Sequence, residues 1–320
     1  MRALRFEKTG SLDFLAVQDV PKPIPGPGEV LVQIKAAAVN PSDIKNVLGK
    51  MHITTLPRTP GRDFSGIVVQ GPDALAGKSV FGSGGNLGFG RDGSHAEFMT
   101  VPENGVLPVP KGFTFDQCAA IGVAHITAWA ALVNVARLHA GETVLILGVD
   151  GAVGSAAARI ARQRKARVLG TVLNASKITN AIPVDIWINL ETTDLPAGVR
   201  DATNGQGADV VFDLVGGSMF EKCLASLAWR GRQVAISSSP DPRVTFNLVD
   251  FYHNESRLFG VDSLKMSFPE AADILRQLTP GFESGEFPPP AVQAFPLDTG
   301  PQIYRDINDG RLKGKIVLNP

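Results

Sequence analysis

Cysteine is nearly absent from this chain of 320 residues: Cys118 and Cys223 are the whole supply. Each stands in a stretch that reads as a packed helix, so both are expected to be buried thiols in a reducing compartment, not halves of a disulfide framework. An excess of either charge is missing too. The 31 Lys and Arg balance 31 Asp and Glu, which excludes the basic footprint of a nucleic-acid or anionic-membrane binder. No apolar leader opens the chain at Met1-Arg-Ala-Leu-Arg-Phe-Glu-Lys8. The one long apolar stretch, Ala119 to Ala136, is interrupted by Gly122, His125, Thr127 and Asn134 and reads as a buried helix, not a membrane span. The histidines (His52, His95, His125, His139, His253) show neither H-x-x-x-H nor H-E-x-x-H spacing, so no helical metal pair is legible. The expectation is a soluble, cytoplasmic protein with enough apolar material, 44% of residues, for two cores.

What is present is most informative at Thr143-Val-Leu-Ile-Leu-Gly-Val-Asp-Gly-Ala-Val-Gly154, continuing as Ser-Ala-Ala-Ala-Arg-Ile-Ala. An apolar run breaks into glycines, and a helix must start where they end. A strand–turn–helix of this kind presents free N–H groups and a positive helix end to a phosphate. Gly148, Gly151 and Gly154 divide the work: the tight turn, close approach to a pyrophosphate, and close helix–strand packing. Val153, Ala156, Ala157, Ile160 and Ala161 fall on one helical face that would pack on a sheet. The backbone of Gly151, Ala152, Val153 and Gly154 is therefore the expected pyrophosphate site of a dinucleotide.

The next strand, Arg167-Val-Leu-Gly-Thr-Val-Leu173, bears on which dinucleotide. An NAD site normally carries an acid about 20 residues past the glycines, on the ribose 2′-hydroxyl. Residues 171–177 contain no carboxylate. A 2′-phosphate would be repelled by an acid and held by a cation and hydrogen-bond donors. Lys177, with Ser176 and Asn174, supplies these, so NADPH is expected over NADH.

Along the chain, residues 1 to about 116 show short strand-like runs between Gly and Pro (29–35, 64–69, 79–81, 96–101), the pattern of a small, mostly β barrel. Residues 117–262 alternate strand and helix, with strands expected at 143–147, 167–171, 185–190, 209–214, 233–236 and 258–261. That implies an α/β, doubly wound parallel sheet. The tail, 263–320, ends in an expected strand, Gly314-Lys-Ile-Val-Leu318, and should rejoin the first domain. Val215 and the Ser237-Ser238 pair lie past strands four and five, where such a sheet binds ligand, and their backbone groups are candidates for gripping a carboxamide.

These pieces carry a resemblance. Pro27-Gly-Glu-Val-Leu-Val32, Ala38-Val-Asn-Pro-Ser-Asp43, Pro60-Gly-Arg-Asp-Phe-Ser-Gly66, Asp92-Gly-Ser-His-Ala-Glu-Phe98, Ile126-Thr-Ala-Trp-Ala-Ala-Leu132, the 148–154 glycines, Gly207-Ala-Asp-Val-Val-Phe-Asp-Leu-Val-Gly-Gly217 and Gly314-Lys-Ile-Val317 follow one another in order. The whole chain resembles the medium-chain dehydrogenase/reductase superfamily, and within it the zinc-free quinone oxidoreductase group. The resemblance implies a GroES-like barrel plus a Rossmann domain with the active site in the cleft between them. It also implies NADPH as hydride donor, and a quinone or α,β-unsaturated ketone as acceptor. Thr127 matches a family position near the nicotinamide, and Asn40 and Asp43 a loop facing it. Asp43 reads equally as a cap on the helix that follows.

The departures are as telling. Zinc-dependent members place a Cys near position 40 and a His-Glu pair after the glycine at 61, where this chain has Asn40 and Arg62-Asp63. Two cysteines cannot build their four-cysteine structural lobe. Zinc is not expected, and with it the oxidation of simple alcohols recedes. Hydride transfer would rest on positioning and on hydrogen-bond donors aimed at the carbonyl oxygen. Many relatives carry a tyrosine after the glycine at 49. Here the sequence is Gly49-Lys-Met-His-Ile, and the only tyrosines are Tyr252 and Tyr304, so either His52 or water must supply the proton. Leu258-Phe-Gly-Val-Asp262 would be an exposed sheet edge, the expected contact of a homodimer. Two alternatives stay open. One is an enoyl-thioester or enal reductase, with Arg58, Arg62 and Arg91 as a basic rim. The other is a non-catalytic NADPH-binding protein.

Overall fold

The computed structural model describes residues 1–237 and 241–320. They form two compact units, Met1–Val123 with Leu264–Pro320, and Ala124–Ser263. The first boundary falls after Val123 instead of after position 116. The reason is the helix Phe115–Ala119, which packs on the first unit. Ala119 and Ala120 share a buried cluster with Ala36, Ala38 and Val317, and Ser65 Oγ donates to the Phe115 carbonyl at 2.6 Å.

The first unit is built on a seven-stranded sheet. Its spatial order is Val292–Pro296, Lys315–Asn319, Glu29–Val39, Asp63–Gln70, Ser79–Gly82 and Leu107–Pro108, with Phe98–Pro102 also paired to the long strand Glu29–Val39. Apart from the parallel pairing of Val292–Pro296 with Lys315–Asn319, the pairs are antiparallel. Period-two patterning is visible in Phe98–Pro102, where Met99 and Val101 are buried and their neighbours half-exposed. The tail belongs to this sheet: Ile316, Val317 and Leu318 are buried and pair with Val39, Ala38 and Ala37.

In the second unit six strands run parallel: β1 Thr143–Ile146, β2 Arg167–Val172, β3 Ile186–Asn189, β4 Ala208–Asp213, β5 Leu227–Ala235 and β6 Arg257–Gly260. Their spatial order is β3-β2-β1-β4-β5-β6. Val144, Leu145, Ile146, Val210, Val211 and Phe212 are wholly buried, as expected of central strands covered on both faces. Strand order reverses between β1 and β4, which places the loops after these two strands at the sheet's switch point. β5 starts at Leu227, earlier than the sequence suggests, because Trp229-Arg230-Gly231 forms an irregularity in its pairing, with Arg230 at φ 62°. The apolar stretch Phe115–Val135 is long and apolar enough to cross a membrane, yet 72% of an 18-residue window within it is buried inside the protein. It runs as Phe115–Ala119 and Gly122–Trp129, then widens into a π-helical turn over Ala130–Val135.

Candidate functional site

At the end of β1 the chain turns at Gly148, whose φ of 62° suits a residue without a side chain. Gly151 N donates to the Gly148 carbonyl at 3.0 Å and closes the turn. Gly151 is then the N-cap of the helix Ala152–Gln163, with no side-chain cap on its first N–H groups. Twelve residues of helix dipole thus end on uncapped donors, a ready anion site. Gly154 fixes how closely the helix approaches. A Cβ there would lie 2.4 Å from Gly148 O and 2.7 Å from Val149 Cα, both backbone atoms. A Cβ at Gly151 would be far less crowded, its nearest neighbour being Gly148 O at 3.3 Å, a slightly tight contact. The Gly151 N–H, expected on a pyrophosphate, is spent in closing the turn, which leaves the N–H groups of Ala152, Val153 and Gly154 uncapped in a cradle of the kind that binds phosphate.

Beside it lie the residues read as selecting the dinucleotide. Thr171 is buried, and its hydroxyl accepts from Gly148 N at 3.1 Å, so the end of β2 braces the glycine turn. Asn174 caps the short turn Ala175–Lys177: its Oδ1 accepts from Ser176 N at 3.1 Å and from the Ser176 hydroxyl. Lys177 is exposed, and its Nζ lies 4.0 Å from a carboxylate oxygen of Asp150, in the glycine turn itself. This acid comes from the glycine turn and not from the end of β2, where spacing places the ribose acid of an NAD site.

After β4, Asp213 is buried, and burial raises its carboxyl above the usual range. It accepts from Val215 N at 3.0 Å, Gly216 N at 2.8 Å and Gln233 Nε2 at 3.1 Å, and so shapes the turn through Gly216 and Gly217. The Val215 N–H is thereby committed, which leaves its carbonyl as the group able to meet a ligand. Ser237 lies half-buried two residues past β5, and Ser238 lies outside the described residues. Thr127 is buried, on the helix Gly122–Trp129.

In the first unit, Asn40 and Asp43 enter a buried polar cluster. Asp43 is fully buried in the helix Pro41–Val47, and its Oδ2 accepts from Asn40 N at 2.8 Å. This is the capping role, and burial pushes its carboxyl up to about 7. Asn40 Nδ2 donates to Asp63 Oδ2 at 2.9 Å, and Lys315 Nζ donates to Asn40 Oδ1 at 3.4 Å. Asp63 Oδ1 accepts from Val123 N at 2.8 Å. Desolvation lowers the Lys315 ammonium, while Asp63 and Asp43 pull it back up. Neither Asp63, Lys315 nor Asp150 was singled out from sequence for a role in a site. His95 and Tyr304 lie beside this cluster, buried, with Tyr304 Oη 2.8 Å from His95 Nδ1 and His95 Nε2 3.0 Å from the Ala38 carbonyl.

The donor chemistry does not suit zinc. Asn40 stands at the cysteine position, each Asp63 oxygen already accepts an N–H, and Arg62 beside it is a buried cation. Among the described residues no group of three or more His, Cys, Asp or Glu is gathered. The arginines of the supposed basic rim are engaged elsewhere: Arg58 with Asp92 at 3.0 Å and Arg91 with Glu29 at 2.8 Å.

Known proteins share this fold. A family model of the alcohol dehydrogenase GroES-like domain matches residues 26–111, and one of zinc-binding dehydrogenases matches residues 152–277. A zinc-type alcohol dehydrogenase-like protein of Schizosaccharomyces pombe is 34% identical over 90% of this chain and 86% of its own. The quinone oxidoreductase of Rattus norvegicus is 30% identical over 99% of this chain and 97% of its own. A mycobacterial protein solved in complex with NADPH is 26% identical and covers 100% of both chains at a TM-score of 0.86. A GroES-like unit, a Rossmann sheet with a phosphate cradle at its switch point and relatives along almost the full length converge: the chain is an oxidoreductase of the medium-chain dehydrogenase/reductase superfamily, in its quinone oxidoreductase-like group.

Proposed function

We propose that this protein is an NADPH-dependent reductase that delivers hydride to a quinone or an α,β-unsaturated ketone without zinc. The observation that carries the reading is the uncapped start of helix Ala152–Gln163, seated against the β1 turn by Gly154 at the switch point of the sheet. Lys177, the acid-free end of β2, and the NADPH complex of the mycobacterial relative support the phosphorylated dinucleotide. The quinone oxidoreductase of the rat supports the acceptor class.

When bound, the dinucleotide supplies a hydride from its nicotinamide. The chain's part is to hold and orient. The N–H groups of Ala152, Val153 and Gly154 grip the pyrophosphate, with Gly151 shaping the turn beneath it; Lys177 with Asn174 and Ser176 meets the ribose phosphate, and Val215 O with Ser237 positions the carboxamide. Family position assigns Thr127 to the nicotinamide end and Asn40 to the acceptor side. Asp63 and Lys315 hold the Asn40 carboxamide in one orientation, so its dipole needs no reorganisation during reaction. Water delivers the final proton.

A homodimer fits the same reading. Among the described residues β6 pairs on one side only, and Trp229, Leu248, Val249, Tyr252 and Leu258 are exposed on this unit, with Trp229 at 62%. A cytoplasmic location fits the buried thiols of Cys118 and Cys223.

The function is tested by following NADPH and NADH oxidation at 340 nm with 1,4-benzoquinone, 9,10-phenanthrenequinone, an enone and crotonyl-CoA. Turnover of quinone or enone is expected. Preference for crotonyl-CoA would move the substrate to enoyl thioesters, and NADPH binding without any turnover would make the protein a non-catalytic binder.

A further inference from the structure

The pair Asp150–Lys177 has a consequence for the choice of dinucleotide. Asp150 sits inside the glycine turn, between Gly148 and Gly151, where backbone approaches the nucleotide. Its carboxylate stands 4.0 Å from Lys177 Nζ, too far for a hydrogen bond but close enough for each charge to offset the other. Both side chains are exposed, so neither is fixed by packing. The neutral donors nearby are partly spent as well, since the Ser176 hydroxyl and N–H both go to Asn174 Oδ1.

A ribose 2′-phosphate carries nearly two negative charges and would meet one ammonium with a carboxylate beside it. A 2′-hydroxyl is accommodated too, because it can donate to Asp150 while accepting from Lys177. We propose that Asp150 is the residue that sets dinucleotide specificity: from the glycine turn it recognises the ribose hydroxyl of NADH and opposes the 2′-phosphate of NADPH, so that both dinucleotides are accepted. This rests on the reading that a dinucleotide occupies the glycine cradle, and it deepens that reading by naming what limits the preference.

The test is direct binding, measured by titrating NADPH and NADH into the protein and following nucleotide fluorescence or heat. Asp150→Asn keeps the shape of the exposed side chain and removes its charge. Relative to the unsubstituted protein, NADPH should bind about five- to tenfold more tightly to D150N, the size expected for removing one close charge near the surface. NADH should bind equally or more weakly. Lys177→Met should weaken NADPH alone, which locates the phosphate at this pair. An unchanged ratio of the two Kd values in D150N would overturn the proposal while leaving the dinucleotide site intact. Failure of the unsubstituted protein to bind either dinucleotide would overturn both the proposal and the reading beneath it.

Discussion

Replacing Gly154 with alanine is a one-carbon test of how the cradle is built. The new Cβ would lie 2.4 Å from Gly148 O, 2.7 Å from Val149 Cα and 3.0 Å from Gly148 C. An ordinary C···O approach is about 3.3 Å, so turn and helix must part by roughly 1 Å. All three neighbours are backbone, and no rotamer change can relieve them. Overpacking of this kind costs about 1–3 kcal/mol, against which the better helix propensity of alanine returns up to about 1 kcal/mol. A net loss of about 1–2 kcal/mol should lower the melting temperature by roughly 2–8 °C in a unit of this size. The same shift moves the N–H groups off the pyrophosphate, and NADPH affinity should fall about tenfold or more. Gly151→Ala is the control: its nearest neighbour is 3.3 Å away and its φ of −78° is ordinary, so it should melt close to the parent. The assays are thermal unfolding and dinucleotide titration. If Gly154→Ala melts and binds like the parent, or Gly151→Ala is the more damaging, the reasoning fails.

Two further outcomes follow from other parts of the molecule. Burial holds His95 neutral, lowering it to about 4 from its ordinary 6.5, with Nε2–H donating to Ala38 and Nδ1 accepting from Tyr304. Its contribution is complete above pH 6.5 and is lost as pH falls through about 4, up to about 3 kcal/mol. Melting should therefore drop between pH 6.5 and 4, and the drop should be shallower in His95→Gln; identical acid limbs would show that His95 does not titrate this way. Light scattering at micromolar protein should give the mass of two chains, and a monomeric mass would rule out pairing through the β6 edge.

How much of this was legible in sequence depended on whether the signal was local. The β1–glycine–helix unit could be read because an apolar run, a break and a 3.6-residue apolar face occur within twenty residues. The tail strand 315–319 could be read as apolar, although its partner Glu29–Val39 is far away in sequence. The helix Phe268–Ser284 was legible in principle: Ser267 and Glu270 form a capping box and Gly285 ends the helix in a left-handed conformation at φ 81°. Its interior Pro280 obscured it. Site residues divided the same way. Asp43 has its cap partner three residues away, so capping was an available reading. Asp63 and Lys315 meet at Asn40 only through the sheet, and no spacing rule joins positions 40, 63 and 315. Asp150 lay in plain view, but its role depends on Lys177 folding back from the end of β2, which one-dimensional spacing does not show.

Central to the account is a hydride moving from the nicotinamide to the acceptor, without metal, in a protein that binds dinucleotide through Gly151–Gly154. The measurement that tests it most directly uses chelator-treated protein, NADPH deuterated at the transferable nicotinamide position, and an enone acceptor, with the product analysed by mass spectrometry and NMR. Deuterium on the carbon conjugated to the carbonyl, at a rate that added zinc does not raise, is the predicted result. A product without deuterium, or activity that vanishes with the chelator and returns with zinc, would contradict the account.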